Sequence, residues 1–169
     1  MADLNSIVEG NIEDFNTNEL YFDTLSIKKL VILSILTFGF YDVIWFYNTW
    51  KALAERFDYK ISPLWRAMFC NISAFWLFPI LEEYIEKFGI NAFVGILFAT
   101  CYFLLIFLGN LPDPWYLLAL TNVIFIAIAQ DKINKVNAQH FPNARENRWS
   151  VTNTIWAVIC GIWFGFVLL

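Results

Sequence analysis

Two charged residues, Asp42 and Arg66, stand inside apolar stretches of the sequence. An ionisable side chain at membrane depth is a functional-site candidate by default, because an unpaired charge in hydrocarbon is expensive. Such a pair could line a conduction path or form a structural Asp42–Arg66 ion pair. A plainer reading puts Asp42 at the lipid–water interface just after a helix break and lets Arg66 snorkel outward from a helix start. The interfacial reading is preferred, since both residues lie near segment ends, where the cost of a charge is low.

Other residues offer less chemistry. Glu82, Glu83 and Glu86 could bind a cation or act as acid and base, but a metal site needs further ligands and the single histidine, His140, is remote in sequence. The cluster reads as a solvated helix end, and His140, beside Phe141 and Pro142, as a helix-terminus residue. Cys70, Cys101 and Cys160 all fall within hydrophobic segments without metal-site or redox spacing, so they read as small apolar packing residues. Asn71, Asn91, Asn122, Asn134, Asn137 and Asn153 are suited to hydrogen bonding between helices. No nucleotide loop and no nucleophile–base constellation is present. The sequence therefore assigns no catalytic, cofactor-binding or metal-ligating residue, and predicts a non-enzymatic protein.

The elements that would carry these residues are membrane segments. Phe88 to Leu108 is an uncharged apolar run, and Trp149 to Leu169 is another. At about 1.5 Å per residue, each is long enough as a helix to cross a hydrocarbon core of roughly 30 Å. Hydrophobic residues make up 59% of the 169-residue chain and charged residues 15%, well below the charge content of a soluble domain. Continuous apolar runs, rather than alternation, exclude a β-barrel. The fold class is therefore all-α: a helical integral membrane protein with three to five membrane segments.

Three further segments complete the set. Leu30 to Trp50 follows Ser26 as a helix cap; Leu64 to Leu81 follows Ser62-Pro63, a cap and a first-turn proline. Trp115 to Ala129 follows the tight turn Gly109 to Pro114 and is predicted to continue as a helix into water until Pro142. The first segment is interrupted at Gly39. From there Val43, Phe46, Tyr47, Trp50, Leu53 and Phe57 recur at helical spacing, with Asn48, Lys51, Glu55 and Asp58 opposite. This pattern suits a helix lying in the interface plane, with Phe46, Tyr47, Trp50 and Phe57 as membrane-interface aromatics. A single tilted span with an aromatic belt is the alternative.

Charge sets the topology. The turn Gly109 to Pro114 has no Lys or Arg, whereas Lys132, Lys135, Arg145 and Arg148 crowd the stretch from Gln130 to Arg148. The positive-inside rule places that stretch in the cytoplasm and the turn outside, with the C-terminus also outside. If the first two segments both span, Lys51, Arg56, Lys60 and Arg66 face outward. If both are re-entrant or interfacial, all eleven basic residues are cytoplasmic, which favours three spans over five. In either case residues 1–25, with six acidic and no basic residues, form a cytoplasmic tail, predicted to be flexible. This tail is not a secretory signal. Residues 26–169 form one helical membrane domain.

The stretch Leu25-Ser26-Ile27-Lys28-Lys29-Leu30, then Thr37-Phe38-Gly39-Phe40-Tyr41 and Trp45-Phe46-Tyr47-Asn48-Thr49-Trp50-Lys51, resembles a group of small bacterial inner-membrane proteins with no established activity. Ile61 to Ala67 fits the same group, as do Val136-Asn137-Ala138, Pro142, Asn147, Thr152 and Asn153. The resemblance covers residues 21 to 67 well and 133 to 169 less closely. Asn48-Thr49 replaces the Lys-Asn usual in the group, which removes one cytoplasmic charge. The resemblance implies a bacterial inner-membrane location and no particular reaction.

The expectation is thus a multi-pass membrane protein acting as an accessory or envelope-interaction component, its partners being membrane lipids, a second copy of itself or another membrane protein. The alternative is a homo-oligomeric pore or small transporter. No basic stripe supports nucleic-acid binding.

Overall fold

The computed structural model describes residues 22–56, 61–141 and 146–147. Within them the chain is all-α apart from two short strands. Strand β1 (Thr24–Leu25) leads into α1 (Ile27–Leu36) and α2 (Phe40–Arg56), followed by α3 (Pro63–Met68), α4 (Cys70–Lys87) and α5 (Gly95–Leu105). Two 3-10 helices, Ile106–Asn110 and Trp115–Asn122, flank a hairpin turn, and α6 (Val123–His140) and β2 (Glu146–Asn147) follow. The strands pair in parallel, Thr24 with Glu146 and Leu25 with Asn147.

The break expected at Gly39 is present and has a local cause. Phe38 and Gly39 both take left-handed backbone angles, φ 51° and 86°. Gly39 N–H donates to the Ser34 carbonyl at 2.8 Å and Phe38 N–H to that of Ile35 at 3.2 Å, the paired bonds that close a helix in a Schellman turn. Thr37 ties the two helices together: its hydroxyl donates to the Leu33 carbonyl at 2.7 Å and accepts from Tyr41 N–H at 2.9 Å. Ser26 and Ser62 occupy N-cap positions and Pro63 opens α3, as the sequence predicts, although neither serine hydroxyl caps its helix.

Two segments depart from the expected continuous helices. The second breaks at Phe69, between α3 and α4. There Ser73 Oγ donates to the Arg66 carbonyl at 2.7 Å, satisfying a group left over by the break. The third does not start as a helix: α4 ends in a second Schellman turn at Gly89, φ 71°, and residues 90–94 are non-helical. The helix begins only at Gly95. Trp115 to His140 is continuous, so the fourth segment does run on past Ala129.

The core is aromatic. Phe78 meets the rings of Phe46, Phe93, Phe98 and Tyr102 with centroids 5.9–6.2 Å apart, all steeply inclined. Such edge-to-face pairs add about 0.5–1.5 kcal/mol each beyond area burial. Leu77, Leu81, Ile85, Ile126, Ile133 and Val136 fill the rest. Buried Ala67, Ala74 and Ala99, with Gly95, let the backbones approach closely.

One helix among the described residues, Trp115–His140, is long and apolar enough to cross a membrane; Gly95–Asn110 is a shorter apolar helix.

Candidate functional site

Because the α1–α2 break folds the chain back within three residues, the last turns of α1 face the first turn of α2. Ser34 and Asp42 meet there. Asp42 is the third residue of α2, where a carboxylate suits the positive end of the helix dipole. It is 1% exposed. Its Oδ1 accepts from Ser34 Oγ, whereas its Oδ2 is buried with no hydrogen-bond partner. The Gly39 backbone lies over that free oxygen: a Cβ at Gly39 would stand 3.8 Å from Oδ2.

Two further polar groups are buried in the helices packed behind α2. Cys70 on α4 and Tyr102 on α5 are both buried, with Tyr102 Oη 4.0 Å from Cys70 Sγ. The interfacial reading of Asp42 is therefore overturned. The fold excludes water from a carboxyl group that the sequence places near a segment end.

Arg66 belongs to another contact. Its guanidinium carbon lies 4.3 Å from the Trp50 ring centroid, within the range of a cation–π interaction. Trp50 Nε1 donates to Ser73 Oγ at 3.4 Å. Asp42 and Arg66 do not pair with each other; Asp42 is engaged by Ser34 alone.

The aromatic stripe of α2 is corrected in part. The helix is amphipathic with Asn48, Lys51 and Glu55 exposed, as expected, but Phe46 is fully buried and Trp50 is 2% exposed. They are core residues, not interface aromatics, because α4 and α5 cover that face. Tyr47 is half-buried, and Phe57 lies outside the described residues. The outward apolar residues are others: Phe40 and Ile44 on α2, Leu64 and Trp65 on α3, Trp76 on α4.

Of the acidic cluster, Glu83 and Glu86 are exposed, but Glu82 accepts the Gly95 N–H at 2.8 Å and so satisfies the start of α5. His140 ends α6, its ring 4.8 Å from that of Phe88. The described cysteines, Cys70 and Cys101, are free thiols. Cys160 and Asn153 lie outside the described residues.

The amides of α6 do something the sequence did not suggest. Gln130, Asn134 and Asn137 lie along one face and hold the extended chain before α1. Gln130 Nε2 donates to the Asp23 carbonyl at 3.1 Å, and Asn134 exchanges two bonds with Leu25, 3.2 Å to its N–H and 2.8 Å to its carbonyl. Asn137 Nδ2 donates to the Phe22 carbonyl at 3.0 Å. Gln130 also accepts from Trp45 Nε1 at 2.7 Å, joining α2 to the same network. Two of the six asparagines named from sequence thus bind backbone rather than a neighbouring helix.

Among the described residues no group of three or more His, Cys, Asp or Glu side chains is arranged to hold a metal ion. What the arrangement can do chemically is centred on Asp42: a secluded carboxyl with one oxygen free. Comparison with protein-family profiles, with curated proteins and with solved structures finds no match to this chain.

Proposed function

We propose that the chain is a non-enzymatic, multi-pass integral protein of the bacterial inner membrane, serving as an accessory or envelope-interaction component. Its N-terminal half is embedded without crossing, and its acidic tail is cytoplasmic. The observation that carries this reading is the tip of the α5–α6 hairpin. Neither 3-10 helix there, Ile106–Asn110 or Trp115–Asn122, contains a buried residue, yet Asp113 is the only charge between Ile106 and Asn122. Ile106, Phe107, Leu111, Trp115 and Leu118 are all exposed. A projecting apolar hairpin of that kind needs a solvent other than water.

Lengths fit the same reading. At α and 3-10 rises, Gly95–Asn110 extends about 26 Å and Trp115–His140 about 43 Å, enough for the second strand of the hairpin to leave a bilayer of roughly 30 Å and carry its polar end into water. By contrast α1, with ten residues, extends only about 15 Å before the break. Exposed Leu64, Trp65, Met68, Phe69, Ile72 and Trp76 along α3 and α4 give the embedded half an apolar outer face for lipid. A second reading, a small transporter, draws on the free oxygen of Asp42.

The test is extraction and labelling. The protein should stay in the membrane pellet through an alkaline carbonate wash. In a background lacking the native cysteines, Glu55→Cys should resist an impermeant thiol reagent added outside intact cells, while Asn110→Cys reacts. Release by carbonate would overturn membrane integration; ready labelling of Glu55→Cys would overturn the non-crossing N-terminal half.

A further inference from the structure

We propose that Asp42 is a proton-binding site, closed off from water by the Thr37–Gly39 turn. The inference goes beyond the membrane reading and does not depend on the number of spans. It starts from what surrounds the carboxyl. From α1 it meets the Ser34 hydroxyl, a neutral group, and the other polar side chains buried in the helices behind it, the Cys70 thiol on α4 and the Tyr102 phenol on α5, are directed at each other. On α6, the polar group that reaches α2 is the uncharged Gln130, held by Trp45. Of the basic residues, Arg66 is over Trp50, and Asp42 makes no ion pair. On its own helix, Lys51 pairs with Glu55 two turns and more away, at 3.6 Å.

A bare carboxylate in this setting would lack both a counter-charge and the hydrogen bonds that normally compensate a buried ion. A metal ion would need several more oxygen ligands than one carboxyl and one hydroxyl supply. A proton needs none. Placed on Oδ2, it neutralises the group, while Oδ1 continues to accept from Ser34. Release is the simple transfer of that proton from the Oδ2–H bond to water, leaving the carboxylate.

Access is the second part of the geometry. The free oxygen lies beneath the turn, against Gly39. The turn is held by local bonds between neighbouring residues: the Schellman pair, those of the Thr37 hydroxyl, and the backbone bonds from Thr37 to Leu33, from Phe40 to Thr37 and from Asp42 to Gly39. Opening it would wet Oδ2 without dismantling the aromatic core around Phe78. Broken helices are where many membrane transporters build their substrate and ion sites.

Infrared spectroscopy of the full chain reconstituted in phosphatidylcholine vesicles tests this directly. At about pH 5, above the range in which an ordinary aspartate binds a proton, the wild type should show a protonated carboxyl C=O stretch that shifts on transfer to heavy water and is lost in Asp42→Asn. Ser34→Ala keeps the carboxyl and removes its hydrogen bond, so the same band should move to higher frequency; this arm remains decisive if Asp42→Asn does not fold. Absence of any such band in the wild type at about pH 5, or a band unaltered in both variants, would overturn the proposal. A band that appears only on adding sodium-free buffer and vanishes with sodium would also overturn it, assigning the site to a metal cation.

Discussion

Gly95, the first residue of α5, rests directly on the backbone of Pro79 in the middle of α4. A Cβ at Gly95 would lie 2.6 Å from both Cα and N of Pro79 and 2.7 Å from the Phe78 carbonyl carbon. Both residues are suited to that contact. Proline has no N–H to project, and glycine has no side chain to be accommodated. The Phe78 ring packs beside it, so the contact fixes how α5 seats on the aromatic cluster.

Gly95→Ala should therefore destabilise the fold, even though alanine is the better helix former by about 1 kcal/mol. The clash is with backbone, which cannot swing aside, and overpacking of this kind costs about 1–3 kcal/mol. Gly109→Ala is the matched control: its Cβ would meet only the Ala119 Cβ, at 3.8 Å. Thermal unfolding in detergent should show a clear drop for the first and almost none for the second. Equal stability of both variants would mean that α5 does not sit on α4 as described.

Asn137→Leu should loosen the chain before α1 while leaving the helices intact. The amide is 1% exposed and donates to the Phe22 carbonyl and to Thr24 Oγ1, at 3.0 and 2.9 Å. Its removal takes away two hydrogen bonds to that chain, worth about 0.5–1.5 kcal/mol each. Amide hydrogen exchange at Thr24 and Leu25 should accelerate by a factor of at least about ten, since roughly 1.4 kcal/mol corresponds to tenfold. Unchanged protection there would show that Asn134 and Gln130 suffice to hold the strand.

The sequence was informative where a local rule decides the outcome. The Gly39 break, the Ser62-Pro63 helix start and the polar outer face of α2 all follow from residue types at short range. Asp42 was misread because its burial is a property of the packed helices, and no local pattern announces it. For the same reason Phe46 and Trp50 looked like lipid-facing aromatics: a helix pattern reveals which side is apolar, not what covers it. The start of the third segment was hidden by composition. Residues 88–94 are apolar enough for a span, and only Gly89 hints at the turn that delays the helix. The amide ladder of α6 had a signal that could have been used: Gln130, Asn134 and Asn137 recur at helical spacing in a stretch read as simply entering water.

Orientation is the next expectation. A reporter active only outside the cytoplasm should work when inserted at Asn110 to Asp113 and stay silent at Asn143, because the basic residues Lys132 and Lys135 flank the latter and none flanks the former. The tip residues bury nothing in the protein, so an insertion there should be tolerated. Activity at Asn143 with silence at the tip would invert the topology and place the acidic tail outside.

The last expectation concerns the two charges that the sequence first singled out. If Asp42 and Arg66 formed a desolvated ion pair, removing one would leave the other stranded, at about 3–5 kcal/mol, and the double variant would recover most of that loss. The structure gives them different partners, Ser34 for Asp42 and the Trp50 ring for Arg66. Arg66→Gln should then cost about 0.5–1 kcal/mol, the worth of a partly exposed cation–π contact. Asp42→Asn should cost little more, since an amide matches a protonated carboxyl in size and keeps an oxygen for Ser34 to bond. Their effects should add within about 0.5 kcal/mol, as they do for sites without shared partners. A chemical-denaturation cycle on the two single variants and the double variant measures this. A coupling well above that limit would mean that Asp42 carries charge and feels Arg66, and the neutral site proposed for it would have to be abandoned.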